Sequence, residues 1–91
     1  MYATRMIERW VVEFLLEADR VTARTSPPGW CMVTTIARHL ALPAEQAEAV
    51  AEECARRHWV DHRFHHSVSV LETGRRAAQI LRPQLEAATR A

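Results

Sequence analysis

The sequence predicts a mainly α fold with a small antiparallel β-hairpin. Three observations carry that prediction. Apolar residues recur at i, i+3, i+4 and i+7 through the first two dozen positions, the spacing of one face of a long helix. Two shorter helical patterns follow, split by Ala41-Leu42-Pro43. Ser67-Val68-Ser69-Val70 then alternates polar and apolar, the period of a half-buried strand, before helical spacing returns. With 91 residues, 48% of them hydrophobic and 25% charged, the chain suffices for one core, so a single domain over 1–91 is expected. Trp10, Trp30, Trp59, Phe14 and Phe64 supply large groups to bury, which argues against disorder.

The N-terminal helix is expected over 3–24, with Met6, Ile7, Trp10, Val11, Phe14, Leu15, Ala18 and Val21 on its apolar face. Arg5–Glu8 and Arg9–Glu13 pairs offset the like-charge pair Glu13–Glu17 on the other face. Thr25-Ser26-Pro27-Pro28-Gly29 stops it, because two prolines and a glycine cannot continue a helix. Trp30 to Val33 fits a short strand. A helix-turn-helix is expected over 34–58: Thr34 as N-cap, a helix from Thr35 to Leu40, the turn, and a helix from Pro43 to Arg57. Ala47, Val50, Ala51 and Cys54 are its buried positions. The hairpin falls at 59–71, with Asp61 to His66 as a polar tip. Thr73-Gly74-Arg75-Arg76 turns the chain into a last helix over 74–90 carrying Ile80, Leu81 and Leu85, which Pro83 should kink or end.

The net charge is +1, and every basic residue is Arg. Its distribution is uneven. The Pro43 to Arg57 helix sets Glu45, Glu48, Glu52 and Glu53 against Arg56 and Arg57, whereas residues 58–71 carry His58, His62, His65 and His66. Glu52–Arg56 and Glu53–Arg57 stand at i, i+4, as expected of a solvated, salt-bridged face. Cys31 and Cys54 fall in apolar patterns as small core residues and are too few for a disulfide scaffold. Glu8, Glu13 and Glu17 interrupt what would be the apolar part of a signal peptide, and no run of 18 apolar residues exists. The expected location is the cytoplasm, with no membrane span.

Helix, tight turn, helix and hairpin, in that order from Thr34 to Ala78, are the elements of a winged helix-turn-helix. The residues Ile36-Ala37-Arg38-His39-Leu40-Ala41-Leu42, the buried set Ala47, Val50, Ala51 and Cys54, His58-Trp59-Val60 at the entry to the wing, and Val68-Ser69-Val70 followed by Gly74-Arg75-Arg76-Ala77-Ala78 at its exit resemble the core of MarR-like bacterial transcription regulators. The resemblance covers about half the chain. It implies a homodimeric regulator that binds duplex DNA. Two departures stand out. The matching exposed positions of the recognition helix are Ala44, Glu45, Gln46, Glu48, Ala49 and Glu52, of which only Gln46 is a typical reader of adenine; a glutamate can accept from cytosine N4. His58 stands where the family usually has glycine.

The expected DNA contacts are therefore Arg38, Gln46, Arg56, Arg57 and Arg63, assisted by His62, His65 and His66. Arg75 and Arg76 are placed to touch the backbone. The expected dimer face comprises Met6, Trp10, Phe14, Ile80, Leu81 and Leu85. An alternative use of the same fold is a protein-interaction module whose acidic helix, 43–57, docks a basic partner without binding DNA. A continuous Arg/His stripe would favour DNA, and an isolated acidic face a protein. Cys54, His58 and His62 are spaced four apart but straddle a helix-to-strand junction, so no zinc and no other cofactor is expected. With only Gly29 and Gly74, there is no phosphate-cradling loop, and no nucleophile sits in a recognisable elbow; no enzyme is expected.

Overall fold

The computed structural model describes residues 2–24, 29–63 and 66–90, with side chains from residue 8 to residue 88 within those ranges. The expected turn at Thr25–Pro28, Phe64 and His65 fall outside the described residues, as does the side chain of Met6. Four helices and one three-stranded antiparallel sheet follow in the order α1 (Tyr2–Arg24), β1 (Trp30–Met32), α2 (Val33–Leu40), α3 (Ala44–Arg56), β2 (Val60–Arg63), β3 (Ser67–Val70) and α4 (Glu72–Arg90). The fold is mainly helical with a small sheet.

Helix α1 is the spine. Its stripe of Val11, Phe14, Leu15 and Ala18 is fully buried, and α2, α3, α4 and β3 all pack against it. Thr22 is buried as well, and its hydroxyl is satisfied by donating to the Ala18 carbonyl at 2.8 Å. Ile36 and Ala37 from α2, and Ala47, Val50, Ala51 and Cys54 from α3, close the core on one side.

The sheet order is β1-β3-β2, with Trp30 opposite Ser69 and Val60 opposite Val70. The two-residue side-chain period places Val60, Val68 and Val70 on the face toward the core. Trp30 and Met32 take the opposite phase of β1 and are 44% and 47% exposed. Trp30 is thus not a core residue, although its size suggests one.

Two helix starts differ from expectation for local physical reasons. Helix α2 begins at Val33, with Met32 as N-cap and no side-chain cap. The Val33 N–H instead donates to the His66 carbonyl at 2.6 Å, so the sheet supplies the cap that Thr34 was expected to provide. Pro43 is the N-cap of α3, its carbonyl accepting from the Ala47 N–H at 2.9 Å. Pro83 does not end α4, which continues to Arg90. Leu81 and Leu85 pack against the core on either side of the proline.

Candidate functional site

Helix α3 is amphipathic, and its buried line decides what its other faces present. Ala47, Val50, Ala51 and Cys54 point inward, so Glu45, Ala49, Glu52 and Arg56 form the outermost line, at spacings of four, three and four. All four are exposed. Glu45 and Glu52 have no cationic partner among the described residues. Arg56 lies 3.4 Å from Glu53 rather than pairing with Glu52 as the spacing suggested. Beside this line is an open groove of about 370 Å³, lined by Gln46, Ala49, Val50, Glu53 and Arg56.

The flank of α3 toward the sheet is tied to it by one carboxylate. Glu48 Oε2 lies 3.1 Å from His62 Nε2 on β2, and Glu48 Oε1 contacts His66 Nδ1 at the start of the β3 side. By its spacing in the sequence Glu48 belongs to the exposed positions of this helix. Its side chain is only 26% exposed and joins three parts of the fold, so it is not a free reader of bases.

The opposite flank is tied to α1. Arg57 donates to both oxygens of Glu8, at 2.8 and 2.6 Å, and to Glu53 at 3.0 Å, while its guanidinium lies 5.2 Å from the centre of the Trp59 ring. Hydrogen bonding to Glu8 holds Arg57 firmly in its charged form, and the same bond keeps the Glu8 carboxyl below the ordinary carboxylate range. Arg57 is therefore a strut between α1 and α3 rather than a free cation.

The remaining expected DNA contacts are dispersed. Arg63 is exposed, with Nε 3.0 Å from Asp61. Arg38 is exposed in the last turn of α2 with no acidic partner among the described residues, and Gln46 is exposed near the start of α3. His65 lies outside the described residues. Of the two arginines expected at the DNA backbone, Arg75 approaches Asp19 at 3.6 Å and Arg76 pairs with Glu72 at 2.9 Å. No continuous stripe of unpaired arginine and histidine joins α3 to the hairpin among the described residues.

The expected dimer face also divides. Phe14 is fully buried in the chain's own core and has no surface left to offer a second copy. Trp10, Leu81 and Leu85 are half-buried against that core, whereas Ile80 is 64% exposed. Between α1 and α4 runs an open groove of about 400 Å³ lined by Glu8, Arg9, Val12, Leu81, Gln84, Leu85 and Ala88.

Burial pushes the Cys54 thiol up to about 12, and Cys31, also desolvated and near Glu17, up to about 11. Both are poor nucleophiles at neutral pH. Cys54 is enclosed, its Sγ 3.5 Å from the Val11 carbonyl, while His58 is exposed beyond the end of α3 and His62 faces Glu48. Among the described residues, no three His, Cys, Asp or Glu side chains are placed to hold a metal ion, and no helix is long and apolar enough to cross a membrane.

Sequence reasoning missed the links that fix α3 in place, Glu8–Arg57 and Glu48–His62/His66. Their partners are 49 and 18 residues apart for Arg57 and His66, beyond the reach of any local spacing rule. No family model, no curated protein and no solved structure matches this chain.

Proposed function

We propose that the chain is a winged helix-turn-helix domain that docks a basic protein partner on the outward face of α3. The fold assignment rests on the order α2, tight turn, α3, β2, β3. The observation that carries the function is the state of the charges. Glu45 and Glu52 stand outermost on α3 with no cationic partner among the described residues, while Arg57, Arg63, His62 and His66 are each held on a carboxylate of the chain itself. Phosphate approaching this face would meet unpaired carboxylates first, and binding to duplex DNA draws its affinity mainly from cations that neutralise phosphate.

A second reading is a homodimeric regulator that binds duplex DNA. It is supported by the same element order and by Arg38 and Gln46, both exposed and without an acidic partner among the described residues. The α1/α4 groove and exposed Ile80 give such a dimer a surface, and two-fold symmetry would set two α3 helices about 34 Å apart on DNA.

Fluorescence anisotropy separates the two. The docking reading expects an oligoarginine peptide to bind at physiological salt, with NMR shift changes centred on Glu45, Ala49 and Glu52, and a random-sequence duplex to bind negligibly. Salt-dependent duplex binding that Arg38→Ala weakens, with no oligoarginine binding, would establish the DNA reading in its place.

A further inference from the structure

The outward line of α3 says more about a partner than its sign of charge. Glu45, Ala49, Glu52 and Arg56 recur at four, three and four residues, the spacing of one outward line on a helix, so a second helix laid along α3 would meet them in a single row. Glu45 and Glu52 are one heptad apart, about 10.5 Å along the axis at 1.5 Å per residue. Between them sits Ala49, whose small side chain lets a second backbone come close. Beside them the groove at Ala49 and Val50 offers apolar surface within a charged rim.

Resting on the docking reading above, we propose that this face takes a single α-helix of a partner protein. That helix carries Arg or Lys one heptad apart, with an aliphatic residue between them. Its cations meet Glu45 and Glu52, and its aliphatic side chain lies over Ala49 into the groove beside Val50. Arg56, at the C-terminal end of the line, is already held by Glu53 3.4 Å away and takes no part in the recognition. Charge selects the class of partner here, and the heptad register selects its shape.

The rest of the molecule prepares this face. The Glu8–Arg57 strut and the Glu48 link hold both flanks of α3 without using Glu45, Ala49 or Glu52. A partner helix therefore meets a helix already fixed in position, which lowers the ordering cost of association. The alternative occupant, an extended basic tail, would satisfy the two carboxylates equally well and would leave the close approach at Ala49 and the groove beside it unused.

The test uses the full chain and two synthetic peptides of about 21 residues, three heptads. One places arginines a heptad apart with leucine between them. The other has the same composition with that phase broken. Titration calorimetry and amide chemical shifts report binding. The expected result is at least tenfold tighter binding of the phased peptide, with shifts along residues 44–56. The double variant Glu45→Gln/Glu52→Gln, with its fold checked by circular dichroism, should lose about tenfold of that affinity, the scale of two solvent-exposed charge pairs. Equal binding of the two peptides, both sensitive to the double variant, would overturn the helix proposal and leave the docking reading standing. Failure of both peptides and of oligoarginine would overturn both.

Discussion

Ala41 and His58 both adopt left-handed backbone, at φ 57° and 60°, and both terminate helices. After α2, the Leu42 N–H donates to the Ala37 carbonyl at 2.8 Å and the Ala41 N–H to Arg38 at 3.3 Å; after α3, Trp59 donates to Cys54 and His58 to Ala55, each at 3.0 Å. This is the Schellman arrangement, which satisfies end carbonyls and normally places glycine at the left-handed position. The histidine at 58 thus leaves the left-handed cap intact and only makes it costlier. Gly74 reverses the logic. The sequence marks it as a turn residue, yet it lies in the first turn of α4 with no positive φ, where a Cβ would stand 2.0 Å from the Trp59 carbonyl oxygen. Backbone on both sides leaves nothing flexible to give way. The two sites predict opposite signs in a thermal or denaturant melt. His58→Gly should stabilise by roughly 0.5–1 kcal/mol, the scale of relieving a left-handed non-glycine residue. Gly74→Ala should destabilise by about 2 kcal/mol or more, the scale of overpacking without relaxation. A melt in which Gly74→Ala is neutral would contradict the close approach of α4 to the end of α3.

At the scale of elements, apolar periodicity made the helices and the hairpin legible, because burial of one face is what both the sequence and the structure express. What periodicity could not reveal is how elements are locked to one another, since that depends on side chains far apart in sequence. Glu48 is the clearest case: alone it reads as one more carboxylate on an acidic helix, and only the hairpin brings His62 and His66 to it. Removing it should therefore loosen the sheet rather than merely change surface charge. Glu48→Ala is expected to speed amide hydrogen exchange in Val60–Arg63 and Ser67–Val70, while Glu45→Ala leaves those amides unchanged. A second lock joins α1 to α2, where Glu17 accepts from Arg20 and lies 2.7 Å from His39 Nδ1. Hydrogen bonding from Arg20 first, and from His39 next, outweighs burial and holds the Glu17 carboxyl below the ordinary range. A carboxyl lowered in the folded state stabilises it above the unfolded value and loses that contribution as pH falls through the folded one. Wild type should therefore exceed Glu17→Gln in stability at neutral pH, and the difference should fade below about pH 4, near the ordinary glutamate value. A gap that stays constant down to strongly acid pH would show that Glu17 acts through packing rather than through its charge.

At the scale of the whole molecule, the long stripe of α1 suggested more apolar surface than one small core needs, and hence a dimer face. The structure uses most of that stripe inside one chain: Val11, Phe14, Leu15 and Ala18 are fully buried, and Trp10 and Val12 pack at the core's margin. A sequence stripe cannot distinguish intramolecular from intermolecular burial, because both require the same 3.6-residue period. The distinction lies in which positions the neighbouring helices reach, and α4 reaches α1 through Leu81 and Leu85 while leaving Ile80 in solvent. The two residues named for one face should therefore behave differently. Phe14→Ala should cost about 3–5 kcal/mol through the cavity it leaves, whatever the state of association. Ile80→Glu removes no core contact and should leave the denaturation midpoint of dilute protein within about 0.5 kcal/mol of wild type, the range for surface substitutions. If copies of the chain associate over the α1/α4 groove, Ile80→Glu should also shift sedimentation equilibrium toward the 10.4 kDa species while leaving the fold intact. A loss of folding stability in Ile80→Glu comparable to that of Phe14→Ala would mean that α4 packs on the core through a different face from the one carrying Leu81 and Leu85.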